Sequence, residues 1–258
     1  MNRKELKEFL DEAYHLHSSS DFIDSDPIQI PHAFALKQDI EIAAFFAAML
    51  AWGQRITIIN KCKELFRLMD NAPYSFVIDH SESDLKRLMK FKHRTFNTTD
   101  LLHFINFLNY WFSNNKSLET AFSRHMSNND PNVEKALIGF HNAFFSLEDS
   151  PLRTRKHVAT PLRKSACKRL NMYLRWMVRK DEYGIDFGMW KSILPGQLVC
   201  PFDVHVSNVS RELGLVKRKQ SDWKTAIELT ENLKKFDSLD PVKYDIALFG
   251  IGVNVKIH

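Results

Sequence analysis

The sequence predicts an all-α protein, and three observations carry that prediction. Apolar residues recur at helical spacing along most of the chain, and no stretch alternates with a period of two. Glycine (8) and proline (9) are scarce in 258 residues, as expected for helices joined by short loops. No internal repeat or low-complexity tract stands out. The length allows a sizeable core, organised as a single compact helical unit or as two lobes at about 35–150 and 151–258 plus the N-terminal helix. Twenty phenylalanines predict an aromatic-rich interior.

The elements follow in order. Residues 3–17 read as an amphipathic helix, followed by a polar loop over 18–27. Two helical runs fill 39–69 and are separated at Gly53; the first, Ile42-Ala-Ala-Phe-Phe-Ala-Ala-Met-Leu50, is apolar all round and belongs at a domain centre. Ile56, Ile59, Leu65 and Leu68 continue a buried face through the second. Further helices are predicted at 83–90, 99–113, 117–126 and 132–146. Thr160-Pro161 is a start signal, Thr as N-cap and Pro at the first helical position, for a helix running to about Lys180. After the Leu194-Pro-Gly196 turn come helices at 204–213, 222–235 and 240–250, the last two announced by Ser221-Asp222 and Asp240-Pro241.

Composition narrows the function classes. Cys62, Cys167 and Cys200 are odd in number and far apart, which suggests neither a disulfide framework nor a Cys-x-x-Cys metal site and points to a reducing cytoplasm. The first ten residues lack the apolar core of a signal peptide. The longest apolar run, Ile42–Trp52, is 11 residues, short of the roughly 18 that a membrane span needs. His93, His103, His125, His141 and His157 show no metal-ligand spacing, and no Walker or Rossmann glycine pattern occurs, so neither metal nor nucleotide cofactor is expected. Trp52, Trp176, Trp190 and Trp223 are expected in the core.

The charge is unevenly placed. Between Pro151 and Lys180 stand ten Lys/Arg and no Asp or Glu, so a chain of net charge +5 carries a net −5 outside this segment. Wound as one helix at about 100° per residue, Lys164, Lys168, Arg175 and Arg179 form a single stripe. Leu170, Tyr173, Leu174 and Met177 fall on the opposite side. A charged helix face is most often simply solvated. Here no acid relieves the repulsion between like charges, and phosphates would do so, with counterion release as the driving force. Beyond the segment lies Asp203, in Pro201-Phe-Asp-Val-His-Val-Ser-Asn-Val-Ser-Arg-Glu-Leu-Gly-Leu215.

This last run resembles the Val-Asp-Thr-His-Val…Arg…Leu-Gly segment of the helix-hairpin-helix DNA glycosylases, which carries their catalytic aspartate. Asp203 falls on that aspartate and His205 on the histidine after it. Leu50-Ala-Trp-Gly-Gln-Arg55 is similar to the Leu-Ser-Ala-Gln turn of endonuclease III, which places Gln54 on the glutamine pushed into the DNA stack. Lys168-Arg-Leu-Asn-Met-Tyr-Leu-Arg-Trp176 resembles the nucleophile helix of the archaeal 8-oxoguanine glycosylases and places Lys168 on the nucleophile. Ala166-Cys-Lys-Arg-Leu-Asn171, Arg175-Trp-Met-Val-Arg179 and Asp240-Pro-Val-Lys-Tyr-Asp245 also look like the blocks of an uncharacterised bacterial family. The resemblance covers roughly 40–69 and 160–252. The usual Leu-Pro-Gly-Val-Gly hairpin with its lysine is missing, since Leu194-Pro-Gly196 continues with Gln197-Leu198, and so is the four-cysteine iron–sulfur loop.

The resemblance implies a two-lobed helical fold with a cleft between lobes and base-excision repair of damaged duplex DNA, with oxidised purine as substrate and lyase activity in addition. Lys168 would attack the sugar, and Asp203 would stabilise the developing positive charge. Lys164, Arg169 and a helix N-terminus would each disfavour a further positive charge on Lys168, as an amine nucleophile requires. Gln54, Arg55, Lys164, Arg169, Arg175, Arg179 and His205 would contact DNA. A nucleotide shared by the pair requires Lys168 Nζ and the Asp203 carboxylate to lie within about 12 Å. Each residue has a plainer reading beside this one: Asp203 as a helix cap, Lys168 as one phosphate clamp among several, His205 as a structural histidine, Gln54 as a C-terminal helix cap. Two other functions stay open, a non-catalytic nucleic-acid-binding module on the same scaffold and a protein-interaction domain for an acidic partner. A cytoplasmic monomer is expected in either case.

Overall fold

A computed structural model describes residues 1–254 of the chain. The described residues are helical, with isolated bridges at His93–Phe96, Ser165–Asp222 and Lys180–Phe187 and no β-strand. The all-α expectation holds. Among these residues no helix is long and apolar enough to cross a membrane. Two compact units partition the chain. The first comprises Met1–Phe22, Met126–Lys135 and the chain from Thr160 on; the second comprises Ile23–His125 and Ala136–Ala159.

The second unit is built around the helix Lys37–Leu50, in which every residue from Ile40 to Leu50 is buried. Its phenylalanines seed the aromatic core that the composition predicts. Phe45 stacks on Phe104 at 5.4 Å, Phe107 meets Phe144 at 4.6 Å, and Phe122 stacks on Phe140 at 4.0 Å. Glu41, the one acid on this buried stretch, accepts from the Leu118 backbone N–H at 3.0 Å and from the Ser117 hydroxyl. Gly53, at φ +104°, turns the chain into the next helix, Arg55–Leu68. The short helices Ser20–Ser25, Gln29–His32 and Pro73–Asp79 occupy stretches where the periodicity is too brief to register.

In the first unit the helices Arg3–His17, Val204–Glu212 and Trp223–Lys234 lie where the sequence places them. Asp203 and Asp222 cap the latter two, through Val206 N–H and Thr225 N–H, each at 3.0 Å. A 3₁₀ turn at Pro241–Lys243 leads into the final helix, Tyr244–Asn254.

The helix predicted from Pro161 to Lys180 is broken, and that is a correction. Pro161–Arg163 forms a 3₁₀ turn, Lys164 and Cys167 take left-handed conformations at φ +60° and +50°, and the α-helix runs only from Lys168 to Val178. The cause is tertiary. Trp223 N–H donates to the Lys164 carbonyl at 3.1 Å, using the acceptor that a continuous helix would have kept for itself. Thr160 does not cap through its side chain. Lys164 is exposed but lies outside the helical register of Lys168.

The cationic stripe is corrected as well. Arg175 and Arg179 are only 3% and 2% exposed, and all residues from Leu170 to Val178 are buried. Arg175 contacts Asp186 at 3.3 Å and is hydrogen-bonded to Asp245. Arg179 bonds Asp186 at 2.9 Å, Asp240 at 2.8 Å and the Tyr14 hydroxyl at 2.6 Å. Burial opposes the charge on Arg179, but Asp186 and Asp240 outweigh it and raise the guanidinium above its usual range. The repulsion along the stripe is thus relieved by carboxylates of the chain itself, contributed from outside the acid-free window. These two arginines do not present an outward phosphate-binding face.

Removing one partner from such a network strands buried carboxylates. Arg179→Ala is expected to lower unfolding free energy by about 3–5 kcal/mol, read from urea denaturation. Arg179→Lys keeps the charge but loses the planar fork and should fall between Ala and wild type.

Candidate functional site: a lysine and two aspartates at helix N-termini

Lys168 opens its helix directly after the Lys164–Cys167 break. Within that break Ser165 Oγ accepts from Cys167 N–H at 3.2 Å, and Asn171 Nδ2 donates to the Ala166 carbonyl at 3.0 Å. Two non-glycine residues with positive φ in four positions make this an over-determined turn, of the kind often found where a side chain must be aimed. It aims Lys168 at Asp203. Lys168 Nζ lies 3.9 Å from Asp203 Oδ2, with the two side chains 29% and 19% exposed. Asp203 divides its oxygens, Oδ1 accepting the cap bond from Val206 and Oδ2 facing the lysine. The cap reading and the site reading of Asp203 are therefore compatible.

A third group was missed by the sequence reasoning. Asp245, in the first turn of the helix Tyr244–Asn254, is buried. Burial pushes its carboxyl up to about 6, Arg175 and Lys168 pull against that rise, and Asp203 adds to it. Asp245 therefore shares one electrostatic environment with Lys168 and Asp203. The available signal was a single acid amid Tyr244, Ile246, Ala247 and Leu248, a pattern that an interior carboxylate leaves in sequence. Cys200 Sγ lies 4.0 Å from Asp245 Oδ1, and burial, reinforced by Asp245, raises its thiol well above the usual value. Burial pushes the Cys167 thiol up to about 12. Neither sulfur offers a thiolate at neutral pH.

The other predicted residues are dispersed. Arg169 follows Lys168 and is partly buried, which pushes its guanidinium down to about 10 and leaves it charged at neutral pH. His205 is held by packing: its Nδ1 is 3.2 Å from the Gly252 carbonyl and its ring meets Phe249 edge-on at 5.7 Å. Lys164 stands exposed before the break. Gln54 and Arg55 belong to the second unit. Gln54 is the N-cap position of the helix Arg55–Leu68, exposed and without a side-chain cap bond, rather than the C-terminal cap of the helix before it. Trp176, Trp190 and Trp223 are buried, as expected, whereas Trp52 is only half-buried.

The fold and the site thus define an all-α protein with a partly exposed lysine–aspartate pair backed by a buried aspartate. The chain belongs to the family described as "Protein of unknown function (DUF2400)", whose model matches residues 26–254. No curated protein and no solved structure matches it.

The cap contribution of Asp203 can be separated from any chemistry. Asp203→Ala should lose about 1 kcal/mol of stability, while Asp203→Asn, which can still accept from Val206 N–H, should stay within a few tenths in thermal unfolding.

Proposed function

We propose that this chain is a DNA-binding, base-excision-repair glycosylase with lyase activity on an oxidised purine, acting in the cytoplasm on damaged duplex. The glycosylase-like reading of the fold, with a lobe for each unit, is part of that proposal. The observation that carries it is the 3.9 Å approach of Lys168 Nζ to Asp203 Oδ2 at a partly exposed pair of helix N-termini. The resemblance assigns nucleophile and stabilising carboxylate to these same two residues.

In this reading the damaged nucleotide leaves the stack and its sugar enters beside the pair. Lys168 attacks C1′ as the free amine while the bond to the base breaks, the base departing with the electron pair. Asp203 faces the ring oxygen as positive charge develops there, where a fixed carboxylate in a poorly hydrated site stabilises most strongly. Asp245, whose charge is felt at Lys168, is assigned as the acceptor for the lysine proton. Its carboxyl, raised to about 6, is ionised at neutral pH yet basic enough to take a proton transiently. Nearby helix N-termini at Lys168 and Val204 suit the phosphates flanking the sugar.

A second reading keeps nucleic-acid binding without catalysis. It is favoured by the structural employment of Asp203, whose Oδ1 is committed to capping its own helix. It expects salt-dependent duplex binding that survives Asp203→Asn and releases no base.

Borohydride reduction in the presence of lesion-bearing or abasic duplex should trap a covalent adduct with the wild type and none with Lys168→Ala. Equal trapping by the two proteins, or none by the wild type, removes the lyase assignment. Because Asp245 must be ionised to accept the proton, the single-turnover rate should fall as pH drops through about 6. Asp245→Asn should be slower by about 10²–10⁴-fold, the usual worth of a general base, and should lose that acid limb.

A further inference from the structure

With Arg175 and Arg179 turned inward, exposed positive charge in the acid-free stretch is reduced to scattered residues such as Lys156, Arg163, Lys164 and Lys180, and the second unit has a denser concentration of it. The segment Lys86-Arg-Leu-Met-Lys-Phe-Lys-His-Arg94 carries five Lys/Arg and no acid. Arg87 is engaged by Asp70 at 2.7 Å and by Asp84 at 3.2 Å. Lys86, Lys90, Lys92 and Arg94 are exposed, and none forms an ion pair among the described residues. The segment is anchored from beneath, since Leu88, Phe91, His93 and Phe96 are buried between the exposed cations. Paired backbone bonds between His93 and Phe96, both 2.9 Å, close a tight turn that holds Arg94 at φ +54°.

Arg94 also joins this segment to the Gly53 turn. A Cβ added to Gly53 would come within 2.6 Å of Arg94 Nη1, so the missing side chain lets the guanidinium settle against the turn. Beside Gly53 stand the exposed Gln54 and, two residues on, Ile56, which corrects the buried face expected of it: it is 63% exposed, while Ile59 and Leu65 are buried. Cations without ion pairs among the described residues, an accessible amide and an accessible apolar side chain are together what a protein needs to grip a phosphodiester backbone and press on a base step. An acidic protein partner would call for the charges alone.

We infer that Lys90, Lys92 and Arg94, together with the Gly53–Ile56 turn, form a second nucleic-acid-binding surface that contacts duplex phosphates. The inference takes duplex DNA as the partner from the functional reading above, but its residues are separate from the Lys168–Asp203 pair. Because the cations sit on a buried aromatic anchor, little ordering is needed on binding.

The test is fluorescence anisotropy of the full chain on undamaged labelled duplex across a salt series, with Lys90→Ala/Lys92→Ala/Arg94→Ala beside wild type. Each lost phosphate contact should reduce the slope of log K against log salt by about 0.9, so the triple variant should lose roughly 2.7 and bind at least tenfold more weakly at 0.1 M salt. Thermal melting should match wild type, since none of the three forms an ion pair within the described fold. An unchanged slope overturns the inference, as does a wild type that shows no salt-dependent duplex binding. Loss of poly-glutamate binding with duplex binding intact overturns it in favour of an acidic protein partner. Borohydride trapping at saturating protein is read in parallel. A slope difference without any trapping leaves this surface standing and removes the lyase assignment, and trapping with an unchanged slope does the reverse.

Discussion

Two guanidinium groups buried side by side on the helix Lys168–Val178 and its C-cap are the constraint on which the first unit depends. Taking an ion out of water costs several kcal/mol even after relaxation, so each buried arginine must be met by fixed acceptors. The acceptors arrive from four places: Tyr14 on the first helix, Asp186 in the loop after the helix Lys168–Val178, Asp240 before the 3₁₀ turn and Asp245 on the last helix. Elements from the beginning, middle and end of the chain are therefore required to converge. Asp240 shows the tension, because burial raises its carboxyl even though Arg179 pulls against it.

The same requirement shapes the candidate site. Arg175 needs a carboxylate, and Asp245 supplies it from a position that also feels Lys168 and Asp203. A structural ion pair thus places a carboxyl raised to about 6 behind a solvent-reachable lysine. With the rest of its helix packed, Lys168 reaches Asp203 from the first position, after two left-handed residues. Had the helix continued from Pro161, Lys168 would have been one cation in an even row. The break gives it a separate setting.

Helices with strong local signals were readable in the sequence. Asp222 before Trp223 predicts a cap and is one, and the apolar run from Ile42 to Leu50 is buried throughout. The break at Lys164 was not readable, because a hydrogen bond from Trp223, 59 residues later in the chain, decides it. Nor were the burial of Arg175 and Arg179: counting charge over 151–180 leaves out Asp186, Asp240 and Asp245, which lie beyond the window. The approach of Lys168 to Asp203 could be named from the resemblance to glycosylases but not from spacing, since no helical or turn periodicity links residues so far apart. Asp245 stands at the end of the block Asp240–Asp245, and a lone acid among apolar residues most often marks structure. Here it is both, a partner to Arg175 and a neighbour to the pair.

Formal charge and available charge differ in this chain, and the difference bears on how it would meet a polyanion. The acid-free stretch holds ten of the 36 Lys/Arg, yet Arg175 and Arg179 are neutralised internally and contribute little field at the surface. The segment 86–94 holds half as many cations, with four of them exposed and free of ion pairs among the described residues. Counterions condense on nucleic acid and are released only by charges that reach the phosphates, so the shorter segment counts for more than its sequence suggests. A protein organised this way keeps its buried cations for architecture and for setting the proton affinity of Asp245. On the proposed reading, capture of a duplex would fall to surface lysines and arginines that form no ion pair among the described residues.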